Sequence, residues 1–139
     1  MSARRLGCGA SLLMLLAMAG MALGADLAPG ELGKVRVSQL GSGNLAAVDQ
    51  GGRGNRIVLS QSSAANNASV QQAGLDNSAS LLQNGLDNHA SLLQQGVRNR
   101  AEIDQQGRAN TARIEQYGND GKAKITQQGN GKRATIIQH

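Results

Sequence analysis

Two histidines, nine acidic residues and many serines are the side chains of this 139-residue chain with the types needed for catalysis. His89 and His139 are the only histidines, and neither has a second His or a Cys beside it. A metal centre needs three or four converging donors, so no metal site is expected. Asp104 and Glu115 face outward on what reads as opposite strands, so they do not converge as a carboxylate pair for acid–base work. No Ser-His-Asp arrangement is available where both His are so placed. Gly41-Ser42-Gly43 lacks the lysine and the strand–helix setting of a phosphate loop. No catalytic or cofactor-binding residue emerges, and the chain does not read as an enzyme. Lys34, Arg56, Arg100 and Lys122, with Ser78 between, share one outward column. Base-stacking aromatics are missing apart from Tyr117, so a nonspecific attraction for anionic polymers is expected there, not specific nucleic-acid recognition.

The functional group that recurs is the primary amide. Gln stands at 39, 50, 61, 72, 83, 94, 105, 116, 127 and 138, every position of an eleven-residue register. Gly follows two residues on, at 41, 52, 74, 85, 96, 107, 118 and 129, with Ser63 the exception. Asn stands at 44, 55, 66, 77, 88, 99 and 110, and Ala at 46, 68, 79, 90, 101, 112, 123 and 134, with Ile57 in the remaining slot. An aliphatic residue precedes each Gln by two, from Val37 to Ile136. Five columns in one register identify a repeat protein. An amide both donates and accepts, so Gln side chains stacked above one another can bond in a ladder. A buried amide left unpaired would cost about 1–3 kcal/mol.

The elements that would position these amides follow from spacing. Asn44, Ala46, Val48 and Gln50 alternate by two, the period of a strand, and share one face. The next four or five residues are Gly and small polar groups, the composition of a tight turn. An eleven-residue helical repeat also fits three turns, but Gly in nearly every unit would cost about 1 kcal/mol each in a helix interior. The expected fold is all-β. It is a two-sheet, cross-β solenoid of five rungs and ten strands, with eleven-residue strand–turn units paired into 22-residue repeats. Strands would stack at roughly 4.8 Å with the Gln and Asn columns inward. Both ends, Lys34–Gln39 and Lys132–Gln138, have no obvious covering segment, and open edges template further strands.

Composition agrees. Aromatics are 1% of the chain, which leaves little for an ordinary globular core, and the single Cys excludes a disulfide scaffold. Leu, Met and Ala crowd the first 25 residues. Arg4 and Arg5 precede an apolar run from Leu12 to Met21, and Ala22 and Gly24 stand at −3 and −1 before Ala25. That order predicts a secretory signal over 1–24, with cleavage after Ala25 as an alternative. The run is short for a membrane anchor. Cys8 would leave with the signal. Removing Arg4 and Arg5 leaves 12 of the 14 basic residues against 9 acidic ones, a balance of +3. Residues 25–33 read as a linker and 34–139 as the repeat domain.

The order Gln-x-Gly-x-x-Asn-x-Ala-x-aliphatic-x-Gln resembles the curlin repeat, over residues 34–139. The resemblance implies a subunit of curli, the extracellular functional amyloid of biofilms and adhesion, exported by the Sec route. Its implied partners are the major curlin subunit, further copies of itself, the outer-membrane secretion and anchoring accessory proteins, and the cell surface. No cofactor is implied. Gly121 and Lys132 stand where Asn is expected, and Lys122, Lys124, Lys132 and Arg133 make the final rung basic, without an acid from 121 to 139. By contrast, 57–97 holds no Lys or Arg. A basic, atypical last repeat resembles the minor subunit, the surface-bound nucleator, with those four residues as the anchor. The major fibre subunit is the alternative. From a different class, the alternative is a secreted, capped β-solenoid adhesin that binds anionic polymers.

Overall fold

The structure, a computed structural model, describes Leu12–Met18, Ala22–Leu23 and residues 33–139. The expected signal (1–24) and linker (25–33) lie outside the described residues, except for those two short segments and Gly33. So does Cys8.

The strands are β1 (Leu12–Met18), β2 (Ala22–Leu23), β3 (Lys34–Leu40), β4 (Asn44–Arg53), β5 (Arg56–Ala64) and β6 (Asn67–Leu75). They continue as β7 (Ser78–Leu86), β8 (His89–Val97), β9 (Arg100–Arg108), β10 (Thr111–Asn119), β11 (Lys122–Asn130) and β12 (Arg133–Gln138). No helix occurs among the described residues. One sheet runs β1-β4-β6-β8-β10-β12 and the other β2-β3-β5-β7-β9-β11. Consecutive strands from β3 onward therefore alternate between sheets, and each pair forms one rung of a two-sheet β-solenoid. Its pairing is parallel with a step of one repeat: Lys34 lies beside Arg56, Gln39 beside Gln61 and Gln116 beside Gln138. Pairing of eleven-residue units into 22-residue rungs is thus the observed architecture.

Alternation places the aliphatic column inside. Val37, Leu59, Leu81, Ile103 and Ile125 are buried from one sheet, and Val48, Val70, Leu92 and Ile114 from the other. Each buried Leu or Ile contributes about 1.5–3 kcal/mol relative to exposure. Ala46, Ala68, Ala90 and Ala112 fill the narrow space beside them. Ile136, with no rung above it, is only partly buried.

Two backbone features make the corners. A Cβ at Gly96 (φ +122°) would sit 1.8 Å from the carbonyl oxygen of Gly118, one rung on. Position 96 therefore needs glycine for close approach as well as for conformation, although Ser63 fills the same column at φ 78°. The position before each Asn column is left-handed too. Gly43 and Gly54 occupy it, and so do Ala65, Asp76, Asp87, Arg98, Ala109 and Asp120, at φ of 55–59°. Asp tolerates this region, whereas Ala and Arg pay for it in strain.

The first edge differs from expectation. In place of an uncovered edge, β1 pairs antiparallel along β4 from Leu12↔Gln50 to Met18↔Asn44, and β2 pairs with β3 at Ser38 and Val37. Before any processing, the apolar N-terminal segment supplies the missing backbone partners. The far edge, β11 and β12, has no strand beyond it among the described residues.

Candidate assembly site: the amide columns and the open edges

Each Gln column rises through one sheet. Gln39, Gln61, Gln83, Gln105 and Gln127 are buried on one side, and Gln50, Gln72, Gln94 and Gln116 on the other. Gln138, at the end of the second column, is half-buried. In every link the lower Nε2 donates to the Oε1 of the next rung: Gln39 to Gln61 at 2.7 Å, Gln83 to Gln105 at 2.9 Å, Gln116 to Gln138 at 2.8 Å. A second bond fixes that direction. Gln83 Nε2 also donates to Asn67 O at 3.1 Å, and Gln105 Nε2 to His89 O at 3.0 Å, across the core. Flipping an amide would set its oxygen against a carbonyl, so the column is polar: donors point toward the C-terminal end.

The Asn columns hold the corners. Asn66 Nδ2 donates to Ser62 O at 2.8 Å in its own turn and to Gly85 O at 2.9 Å in the next rung. Asn66 Oδ1 accepts the backbone N–H of Asn88 at 3.2 Å. Asn44, Asn55, Asn77, Asn88, Asn99 and Asn110 are likewise buried and reach the next rung through Nδ2. The chain of Asn then stops. Asn99 Oδ1 accepts the N–H of Gly121 and Asn110 Oδ1 that of Lys132, at 2.8 and 3.0 Å. Neither residue has an amide to pass the pattern on.

The two ends are chemically unlike. At the first, Gln39 Oε1 is buried and has no hydrogen-bond partner, the one such side-chain atom among the described residues. At the last, Lys122, Lys124, Lys132 and Arg133 are all exposed. Lys124 also pairs with Glu102 of the rung below, at 2.8 Å. Lys34, Arg56, Ser78, Arg100 and Lys122 do form one outward column.

Some contacts were not read from the sequence. The Arg98 guanidinium is bidentate to Asp120, one rung away, at 2.8 and 2.9 Å. Those hydrogen bonds, and then the carboxylate charge, hold the Arg98 pKa above its ordinary value. Arg113 pairs with Glu115 within one strand. Tyr117 stacks on His139 with ring centroids 5.3 Å apart. The one-rung spacing of Tyr117 and His139 was the available signal. Asp104 and Glu115 lie on strands of opposite sheets, β9 and β10, and His89 is exposed.

The family model described as curlin associated repeat matches residues 34–62 and 96–129. The chain is a curlin-repeat protein. No curated protein and no solved structure matches it. Between the matched segments the same columns continue through Gln72, Gln83 and Gln94, and the Gly column is interrupted just after the first segment, at Ser63. Curlins are structural amyloid subunits and not an enzyme family; they are extracellular and fimbrial, and self-assemble into fibres. The present chain reads as such a subunit.

Proposed function

We propose that this protein is the nucleating, surface-held subunit of a curli-type fibre. The observation that carries the reading is the contrast between its ends. Once the N-terminal segment is removed on export, the first edge offers two strands, continuous Gln and Asn columns and the unpaired Gln39 Oε1. A soluble curlin whose last rung carries a Gln amide donates to that oxygen and extends the backbone ladder. The slow step of building a first rung, in which chain entropy is lost before contacts repay it, is then bypassed. The other end has lost both Asn positions and displays Lys122, Lys124, Lys132 and Arg133. These four form the anchor, held by an acidic partner or the anionic cell surface. The remaining amide residues, Gln39 to Gln138 and Asn44 to Asn110, are the assembly ladder.

Deleting residues 121–139 tests the division of roles. The truncated protein should appear in the medium while still shortening the lag of a soluble major curlin in purified mixtures. A truncated protein that stays cell-bound and has lost seeding would reverse the two ends. Seeding equal to that of any other curlin, with no release, would favour the major-subunit reading.

A further inference from the structure

The strand pair at the C-terminal edge has a charge pattern that disfavours its own kind. Every parallel pair in the chain follows one register. Continuing that register into a second copy sets Lys34 over Lys122, Val35 over Ala123, Arg36 over Lys124, Val37 over Ile125 and Gln39 over Gln127. The inward positions match well: apolar meets apolar, and the Gln39 Oε1 that lacks a donor meets Gln127 Nε2. The outward positions do not. Along the outer column the junction reads Arg100, Lys122, Lys34, Arg56, four cations on consecutive rungs roughly 4.8 Å apart. Within one chain Ser78 divides this column, so that no more than two cations are adjacent. In the neighbouring column Lys124 is neutralised from below by Glu102, but a second copy places Arg36 above it.

We propose that the β11–β12 edge selects a different curlin-repeat chain, one whose first strand carries carboxylates at the two positions that face Lys122 and Lys124. This rests on the fibre-subunit reading above and deepens it, because it says what the basic rung docks. Like charges directly opposite on neighbouring strands are unfavourable and opposite charges favourable. The core and the amide column are common to all such chains, so the two outward columns are what discriminates among them.

The probe is a copy of this chain with an acidic first strand. Fibres of the exported wild-type chain are sheared into seeds. Soluble wild type, Lys34→Glu/Arg36→Glu, or the mid-stack variant Asn84→Glu/Gln95→Glu/Arg108→Glu, at exposed positions of β7, β8 and β9, is then added at low salt. The first variant should extend the seeds about ten times faster than wild type. That advantage should fade as salt shortens the Debye length from about 10 Å at 0.1 M to about 3 Å at 1 M. The second variant has the same change in net charge away from the junction columns and should match wild type within about twofold. Lys122→Glu/Lys124→Glu chain added to seeds of that same variant, where every junction is complementary, should extend with a similar gain, which guards against a folding defect in the first variant. Equal rates for wild type and both junction variants, or an equal gain from Asn84→Glu/Gln95→Glu/Arg108→Glu, would overturn the proposal and leave the fibre reading intact. A wild-type chain that forms no dye-binding fibre at any salt would sink both.

Discussion

Replacing Gln83 and Gln105 by Ala, singly and together, probes the direction of the amide column. Gln83→Ala removes the bond from Gln61 and two bonds made by its own Nε2, to Gln105 Oε1 and Asn67 O. Gln61 Nε2 keeps Leu45 O as acceptor. Gln105 Oε1 is left buried without its donor, at about 1–3 kcal/mol. With truncation of the side chain included, each single substitution should cost about 2–4 kcal/mol. Gln105→Ala orphans Gln127 Oε1 in the same way. The double variant orphans only Gln127 Oε1, because Gln105 is gone. Its cost should therefore fall short of the sum of the singles by about 1–3 kcal/mol, a coupling between neighbours in one network. Gln83→Ala with Gln94→Ala, in opposite sheets with no bond between them, should be closer to additive. The readout is the soluble concentration left at equilibrium with fibres, in denaturant that keeps the free chain unfolded. Each 1.4 kcal/mol is about tenfold. Single variants should raise that concentration about 30- to 1000-fold, and outward Ser80→Ala and Ser91→Ala hardly at all. Strict additivity for Gln83 and Gln105, or equal effects from the serines, would refute the inward, directional column.

Gly96→Ala should abolish or severely slow assembly, since its Cβ would lie 1.8 Å from the Gly118 carbonyl oxygen, whereas Gly51→Ala, with nothing within 4 Å, should assemble at the wild-type rate in a dye-binding time course. Ala109→Gly should raise the denaturant midpoint of the fibres modestly, by about 0.5–1 kcal/mol, because Ala109 is held at φ 55° in a column that Gly43 and Gly54 also fill.

Much of the fold was legible because a 22-residue rung repeats the same contact. Once Gln39 faces inward, Gln61 and Gln83 must, and the aliphatic column two residues before them follows. What single positions do was less legible. The left-handed corner is filled by Asp at 76, 87 and 120 but by Ala at 65 and 109 and Arg at 98; backbone pairing on both sides overrides the preferences of those residues. The direction of the Gln bonds depends on carbonyls from the opposite strand, Asn67 O and His89 O, which no column of the sequence displays. Coverage of the first edge was missed because Leu12–Met18 reads as an apolar export segment, and its antiparallel pairing with β4 carries no repeat signal. Gln138 shares the Gln column yet is half-buried, since burial there needs a rung above it.

The central claim is that parallel rungs stack in one register, with amides inward, through each chain and across its junctions. Side-chain-resolution electron microscopy of fibres assembled from residues 25–139 tests it most directly. The expected image has two sheets with rungs about 4.8 Å apart, Gln83 above Gln61 inside, and a Gln amide donor above Gln39 at the junction. Antiparallel pairing of repeat strands, Gln columns facing solvent, or junctions that join like ends would contradict it.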